Sequence, residues 1–315
     1  MLLCTRREQL AWLAALGAIR SVPALAAAGP KPMQWRIGNV RVRRIWERDV
    51  LPLDPTRFFP DATPKVMASI PWLHPWFTDE IGQITLSIAA YLIESPGKRI
   101  LVDTGIGDFE ISGFPMLPRP GPAVPGLLAA EGIAPETIDF VVNTHLHADH
   151  VGGNVSGKGA AAFPSFPSAH YFVGRRDHDY WSTRPPGSFG RQVFETAVRP
   201  IGAAGRLVLL DGETRLTGEV SLVPSPGHTP GHFSVLISST GKEAIITGDA
   251  VHHPVQLAFP DRGMDQDEEA GAASRRELLS LAADRNGLLI GSHFPYPTAG
   301  RVRGEGNAFR FEIEA

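Results

Sequence analysis

Residues 144–153 read Thr-His-Leu-His-Ala-Asp-His-Val-Gly-Gly and place three imidazoles and a carboxylate within six positions. On a turn that leaves a strand, His145 and His147 point the same way because they are two residues apart. Asp149 and His150 lie one turn further on and can face a second ion. The stretch therefore predicts a two-metal site, for which zinc suits the ligands best and iron, manganese or cobalt are alternatives. The competing interpretation is a solvated loop in which histidines cluster by chance.

Residues of the same kind follow other predicted strands. The strands predicted over 220–224, 244–247 and 288–290 each lead into one such residue. These residues are His228, Asp249 and His293. A helix is predicted over 270–283 and further helices lie between other strands. Because functional groups gathered at strand ends with helices between them are typical of layered domains, the sequence predicts an α/β fold.

Composition places the chain among ordinary globular proteins. It has 315 residues, of which 43% are hydrophobic and 20% charged, and residues 29–315 are predicted to form a single domain. With 30 basic and 33 acidic residues, the net charge is −3, so nothing indicates a nucleic-acid partner. The one cysteine, Cys4, lies in the segment predicted to be removed, which leaves no thiol for catalysis.

The first 28 residues have the three regions of an export signal. Arg6-Arg7 is followed by an apolar run over 10–19 and by the small residues at 24–28. The pair of arginines resembles a twin-arginine signal, with Gln9 where a large apolar residue is usual; an ordinary secretory route is the alternative. The apolar run is too short for the roughly 20 residues of a membrane span, so we expect a periplasmic or secreted protein without a stable membrane anchor.

Two segments rich in proline, residues 51–79 and 109–126, lack a regular period and are predicted to be long loops. We expect them to form the apolar wall of a substrate pocket, although packing of residues 51–79 onto the core is equally compatible with their composition. His252 follows the Asp249 segment and either approaches the substrate or is a packed, hydrogen-bonded histidine. The candidate pocket residues are Trp72, Trp76, Phe109 and His252.

The order of these motifs resembles the five-motif pattern of the metallo-β-lactamase superfamily. The matching residues, in chain order, are Asp103, His145, His147, Asp149, His150, His228, Asp249 and His293. The resemblance covers the chain from about residue 35 onward. It implies a four-layer αβ/βα sandwich, in which two mixed sheets pack face to face, helices cover the outside and the site lies at one edge.

Carried over position by position, the resemblance implies two zinc ions per chain. One ion is held by His145, His147 and His228, the second by Asp149, His150 and His293, and Asp249 bridges the two. Two such ions share a hydroxide that acts as the nucleophile, so Asp149 and Asp249 are the predicted catalytic residues. His232 is predicted to hydrogen-bond behind a ligand, and Asp103 to order the ligand loops.

Within the superfamily, the sequence is most similar to lactonases and organophosphate hydrolases such as methyl parathion hydrolase. The similarity rests on Gly248-Asp249-x-x-His252 and on Gly291-Ser292-His293-Phe294-Pro295. Common zinc β-lactamases have cysteine where Asp249 stands, which makes that activity less favoured. We expect a hydrolase of a small-molecule lactone or ester, such as an N-acyl homoserine lactone. A phosphotriesterase or arylesterase is the main alternative, and a non-catalytic metal-binding protein is a further one; assembly as a homodimer is left open.

Overall fold

The computed structural model describes residues 33–50, 52–107 and 123–313. The predicted export signal, residues 1–28, lies outside them, as do Phe109 and most of the loop predicted over 109–126. Contacts group the described residues into one unit. Among the described residues, none of the helices combines the length and apolar character that crossing a membrane would need.

Sixteen strands are found in the described residues. They are β1 (Gln34–Ile37), β2 (Val40–Asp49), β3 (Ser87–Ser95), β4 (Lys98–Val102), β5 (Phe140–Val142), β6 (Val155–Ser156), β7 (Phe163–Pro164), β8 (His170–Gly174), β9 (Leu207–Leu210), β10 (Thr214–Arg215), β11 (Val220–Pro224), β12 (Phe233–Ser239), β13 (Lys242–Ile246), β14 (Leu288–Ile290), β15 (Ala299–Glu305) and β16 (Ala308–Ile313).

Eight α-helices connect these strands. They are α1 (Pro64–Ala68), α2 (Val124–Ala130), α3 (Ala148–Val151), α4 (Arg175–Ser182), α5 (Phe189–Val193), α6 (Arg199–Ala203), α7 (Val255–Ala258) and α8 (Glu268–Asp284). A π-helical turn, Phe194–Val198, joins α5 to α6. The 3₁₀ turns are Pro55–Arg57, Pro71–Leu73, Pro135–Thr137, Gly152–Asn154, Gly159–Ala161 and Gly248–Ala250.

Strand alternation produces four layers. In β3, Tyr91 and Ile93 face an apolar cluster shared with β11–β14, so this cluster lies between the two large sheets. Ala90 and Leu92 face the opposite way, onto a cluster that includes Leu128 of α2. Helix α8 packs in the same manner on the outer face of β13 and β14. Side chains two residues apart share a face, and the arrangement helix, sheet, sheet, helix confirms the predicted α/β sandwich.

The two large sheets have seven strands each, in the orders β1-β2-β3-β4-β5-β8-β9 and β10-β11-β12-β13-β14-β15-β16. In the first, β4, β5, β8 and β9 run parallel; in the second, β13 and β14 do so. Parallel neighbours end at the same edge of their sheet, so the segments that follow β5, β13 and β14 emerge together. These segments carry six of the seven predicted metal ligands, and the seventh, His228, follows β11.

Helix α8 illustrates how the sequence sets a helix and its buried face. The Asp267 carboxylate accepts a hydrogen bond from the Ala270 backbone N–H at the first turn, which satisfies one of the donors left free there. The buried positions recur at helical spacing, and they are Gly271, Ser274, Arg275, Leu278, Leu279 and Ala282. This face packs on the second sheet.

The expectation for residues 51–79 was wrong in part. The segment contains α1 and two 3₁₀ turns rather than one irregular loop. Phe59, Leu73 and Phe77 are fully buried in the cluster on the outer face of the second sheet. Their large apolar surfaces are removed from water there, so most of the segment packs onto the core. The strands β15 and β16 and the helix α4 were not predicted either.

We predict that two hairpin glycines differ in how well they tolerate a side chain. Gly38 has φ +57° and an added Cβ would lie 2.3 Å from the Ser239 carbonyl oxygen, whereas Gly97, φ +73°, has open space there. Gly97→Ala should lower the free energy of unfolding by about 1–2 kcal/mol through backbone strain. Gly38→Ala should cost about 1–3 kcal/mol more, because neighbouring backbone must move. Urea unfolding followed by circular dichroism measures both; equal losses would contradict the steric argument.

Candidate metal centre

The segment after β5 is held against the loop after β4. The Thr144 backbone N–H donates to Asp103 Oδ1 at 2.8 Å, and the Thr144 hydroxyl donates to the same carboxylate. Further on, a Cβ on Gly152 would lie 2.0 Å from the Ile106 carbonyl oxygen, and one on Gly153 would lie 2.2 Å from that of Thr104. The two glycines of the motif are therefore needed for close approach of backbone to backbone.

Three histidines and one carboxylate form a first group. His147 Nδ1 lies 2.9 Å from His145 Nε2 and 3.0 Å from His228 Nε2. Asp249 Oδ2 lies 3.6 Å from His145 Nε2 and 3.3 Å from His228 Nε2. The four side chains come from three separate segments and direct their ligand atoms at one point.

Asp149, His150 and His293 form a second group beside the first. The Nε2 atoms of His150 and His293 are 3.1 Å apart. Asp149 Oδ2 lies 3.6 Å from that of His150 and 3.5 Å from that of His293. The other oxygen of Asp249, Oδ1, lies 3.2 Å from His150 Nε2 and 3.1 Å from His293 Nε2. Asp249 thus offers one oxygen to each group.

The structure brings all seven predicted ligands together. Within each group the ligand atoms lie within 4.8 Å of one another. Imidazole nitrogens and carboxylate oxygens that converge in a buried space fit a divalent cation, because each supplies a lone pair and the carboxylates supply negative charge. The two groups are compatible with two metal sites.

Three of the ligand histidines are fixed from behind. His150 Nδ1 is 2.8 Å from Asp103 Oδ2, His228 Nδ1 is 2.6 Å from the Met264 carbonyl oxygen and His293 Nδ1 is 2.7 Å from that of Ser87. A nitrogen that donates to such an acceptor leaves the other nitrogen of the ring free to bind metal. Asp103 touches the ligand loops by hydrogen bonding, as predicted from the sequence.

His232 supports the same centre without joining it. Its Nε2 accepts a hydrogen bond from the Asp249 backbone N–H at 2.9 Å, and its Nδ1 lies 2.8 Å from the Ser225 hydroxyl. Burial lowers the pKa of His232 to about 3, so it is neutral and can accept this bond. The prediction that His232 is a hydrogen-bonding neighbour of the ligands agrees with this placement.

Burial sets the protonation of the first group. It lowers the pKa of His147 to about 4 and lowers those of His145 and His228 well below 6.5. Neutral imidazoles at pH 7 present lone pairs to a cation without first losing a proton. At His150 burial also acts to lower the pKa, but nearby carboxylates, Asp249 foremost, outweigh it and raise the pKa well above 6.5.

A cavity of about 460 Å³ opens over both groups. His147, Asp149, Asp249 and His293 lie at its floor, together with His252. The apolar part of its lining is Val50, Leu53, Phe58, Leu86, Ile88, Leu146, Trp181, Phe189, Val193 and Met264. A pocket with few polar groups at its floor and apolar walls suits a small molecule that has an apolar portion.

Comparison with known proteins identifies the family of this chain. The family model described as the metallo-beta-lactamase superfamily matches residues 84–293, which include all seven ligand positions. The chain belongs to the metallo-beta-lactamase superfamily. Membership of the superfamily fixes the fold but not the reaction, so the cavity lining decides which substrates fit.

Curated relatives of this superfamily member are lactonases by name. An N-acyl homoserine lactonase of Bacillus sp is 26% identical over 225 residues, which cover 67% of this chain and 82% of the relative. The N-acyl homoserine lactonase AttM of Azorhizobium caulinodans is 33% identical over 174 residues, which cover 53% of this chain and 62% of the relative. A solved structure, AidC, described as a dizinc quorum-quenching lactonase, superposes with a TM-score of 0.75 at 22% identity and covers 90% of this chain and 97% of its own.

Two predicted pocket residues lie elsewhere. Trp72 and Trp76 line a shallow depression beside β16 instead of the cavity over the metal-binding groups. Trp76 packs edge-on against Tyr296, with ring centroids 5.9 Å apart, and Trp72 packs against the core. The reason is that residues 64–77 fold back onto the second sheet. Phe109 lies outside the described residues, and His252 lines the cavity over the metal-binding groups.

Most of the residues that line the cavity wall were not predicted from the sequence. Trp181 on α4 and Phe189 on α5 line the cavity, as does Met264 before α8. The Trp181 ring also meets the His147 ring edge-on at 5.5 Å. Their position in the sequence was the one available signal, because these aromatic residues lie in the segment between two ligand motifs. Their spacing does not show whether they face the core or the cavity.

We predict that divalent ions stabilise the fold. A ligand that binds the folded state at 1,000 times its Kd adds about 4 kcal/mol, which for a domain of this size raises Tm by about 10 °C. Chelation should therefore lower Tm, and two equivalents of zinc should restore it in a thermal scan. His170→Ala, at an exposed histidine on β8, should keep the full shift, whereas His293→Ala should reduce it. A Tm that is insensitive to chelator and zinc would contradict the assignment.

Proposed function

We propose that this superfamily member is a dinuclear, zinc-dependent hydrolase that opens a lactone carrying an apolar substituent. One observation carries the proposal: the Asp249 carboxylate faces two ligand groups, one with each oxygen, at the floor of a mainly apolar cavity. The names of the curated relatives support the lactone, and the dizinc description of AidC supports the choice of metal.

The protein would hold the metals through imidazoles and carboxylates. In this proposal His145, His147 and His228 would bind one ion, Asp149, His150 and His293 would bind the other, and Asp249 would bind both. When bound, a pair of divalent ions supplies an activated water as nucleophile and polarises the carbonyl of an ester. No serine or cysteine nucleophile is then needed.

We propose that Asp149 moves a proton in the reaction. Its side chain is 28% exposed, whereas that of Asp249 is 5% exposed, so Asp149 is the carboxylate more open to the cavity. In the proposed reaction, water forms a bond to the lactone carbonyl carbon and its proton passes to Asp149. The bond to the ring oxygen then breaks and that oxygen takes up the proton, which gives the hydroxy acid.

We propose that His252 contacts the substrate. Its Nε2 lies 3.1 Å from Asp249 Oδ2, and its ring stacks on that of His293 with centroids 5.8 Å apart. It is buried and belongs to the cavity floor. We propose that it orients the polar end of the substrate while the wall around Trp181 receives the apolar end, because burial of that end from water favours binding.

A substrate panel tests the proposed reaction. Zinc-loaded protein should hydrolyse N-acyl homoserine lactones with a kcat/KM at least about tenfold above that for a paraoxon-like triester, an aryl ester, a thioester or a β-lactam, equivalent to about 1.4 kcal/mol of transition-state preference. kcat/KM should increase as the acyl chain is lengthened to fill the cavity. Greater activity on the triester would replace the lactone with a phosphotriester as the substrate, and inactivity on the whole panel would count against catalysis.

Asp249→Asn and His252→Gln separate metal binding from substrate contact. The amide keeps the shape of Asp249 but removes its charge, so we expect loss of metal and a fall in kcat of about 100-fold or more. His252→Gln should raise KM or change the preferred acyl chain, with two ions retained. Steady-state kinetics and elemental analysis on the same samples measure both effects. Full metal content with a near-normal rate in Asp249→Asn would falsify the bridging role.

A further inference from the structure

Asp177 is a buried carboxylate that belongs to neither ligand group. It lies in the first turn of α4 and has no exposed surface. Its Oδ2 accepts a hydrogen bond from the Thr229 hydroxyl at 2.7 Å, and its Oδ1 accepts one from the Gly231 backbone N–H at 2.6 Å. The Leu146 backbone N–H also faces this carboxylate and acts to lower its pKa. A buried carboxylate needs such donors, because it has lost its hydration.

The three donors belong to the two segments that carry the histidines of the first group. Leu146 stands between His145 and His147, and Thr229 directly follows His228. One carboxylate therefore joins the segment after β5 to the turn after β11. Hydrogen bonds to a charged acceptor are stronger than neutral ones and fix geometry more tightly.

Close packing leaves these segments little freedom to compensate. A Cβ on Gly231 would lie 2.4 Å from the Asp177 backbone nitrogen, and one on Gly174 would lie 2.0 Å from the Gly231 carbonyl oxygen. At the other end of α4, the Trp181 ring contacts the His147 ring. Helix α4 thus contacts the turn with its first residues and a ligand ring with its last.

The second group is held by different residues. His150 is oriented by Asp103, and His293 by the Ser87 carbonyl oxygen. We propose that Asp177 is a positioning residue for one metal site, that of His145, His147 and His228, and that it does not serve the other. The inference rests on the proposed dinuclear centre. As a consequence, a substitution at a residue that touches neither ion can weaken the affinity of one site and leave that of the other unchanged.

Asp177→Asn is the main test. The amide cannot accept from all three donors, and its NH₂ group faces a donor, so the segments should separate slightly. The affinity of the first site for zinc should fall about 10–100-fold, as is usual when a residue behind a ligand is lost. Zinc-loaded protein is titrated with a chelator of graded strength, and released zinc is followed with a chromogenic indicator. His228→Ala and His293→Ala show which release step belongs to which site.

Thr229 provides a second pair of variants that leave the Asp177 carboxylate in place. Thr229→Val removes one donor at nearly constant volume and should weaken the same site, whereas Thr229→Ser retains the hydroxyl and should keep near-normal release. Tyr171→Phe is the matched control: it removes a buried hydroxyl that is hydrogen-bonded to the Phe166 and Asn154 backbone, contacts neither a ligand nor Asp177, and should leave both steps unchanged. Circular dichroism confirms that each variant is folded during the titration.

The inference is supported if Asp177→Asn and Thr229→Val weaken zinc binding at the first site only, and Thr229→Ser keeps near-normal release. Equal weakening of both sites would show a general structural role and overturn it, as would unchanged release at both sites. If Asp177→Asn does not fold, the Thr229 pair decides by the same criterion. Wild-type protein that binds fewer than two ions would overturn the proposed dinuclear function itself, so the two failures are distinguishable.

Discussion

The structure depends on the burial of Asp249 among five imidazoles. Burial alone would raise the pKa of this carboxylate, yet the surrounding histidines, His150 foremost, hold it well below its usual value. Such a concentration of charge and lone pairs away from water is costly unless it is paired. Cations between the groups would satisfy both oxygens of Asp249 and the ring nitrogens together. This electrostatic requirement links the ligand segments of the two sheets more directly than any single packing contact.

The fold provides a polar layer behind the ligands. Arg275 of α8 is completely buried and donates to the Ala250 and Pro260 carbonyl oxygens and to the Asp265 carboxylate. Ala250 follows Asp249, and Met264, next to Asp265, accepts from His228. Asp103 and Asp177 act in the same way, because each accepts hydrogen bonds from the ligand segments and belongs to neither ligand group. A buried hydrogen-bonded network restricts the positions of its members, so the geometry of the ligand groups is determined largely by residues outside them.

The cavity shows how one edge of the sandwich acquires a binding function. Its floor comes from strand ends, where polar groups are available, and its wall from helices α4 and α5 and from the start of the long connection between β2 and β3. These wall segments differ in origin from the ligand segments, so the wall can change while the centre stays the same. That separation is the physical basis for many reactions on one superfamily fold.

The ligands could be recognised in the sequence because each follows a short apolar strand, and the spacing within residues 145–150 is set by local backbone geometry alone. The strands and the helices between them predicted an α/β layered fold, and the four layers were implied by the resemblance to the superfamily. The cavity wall was decided only by tertiary structure. Trp72 and Trp76 have the composition of a pocket wall but pack beside β16, whereas Trp181 reaches the site from α4. Spacing along the chain shows which residues share a face, but the surface that this face meets depends on how distant segments pack. The surroundings of Asp177 depend in the same way on Leu146 and Thr229, which lie 31 and 52 residues away along the chain.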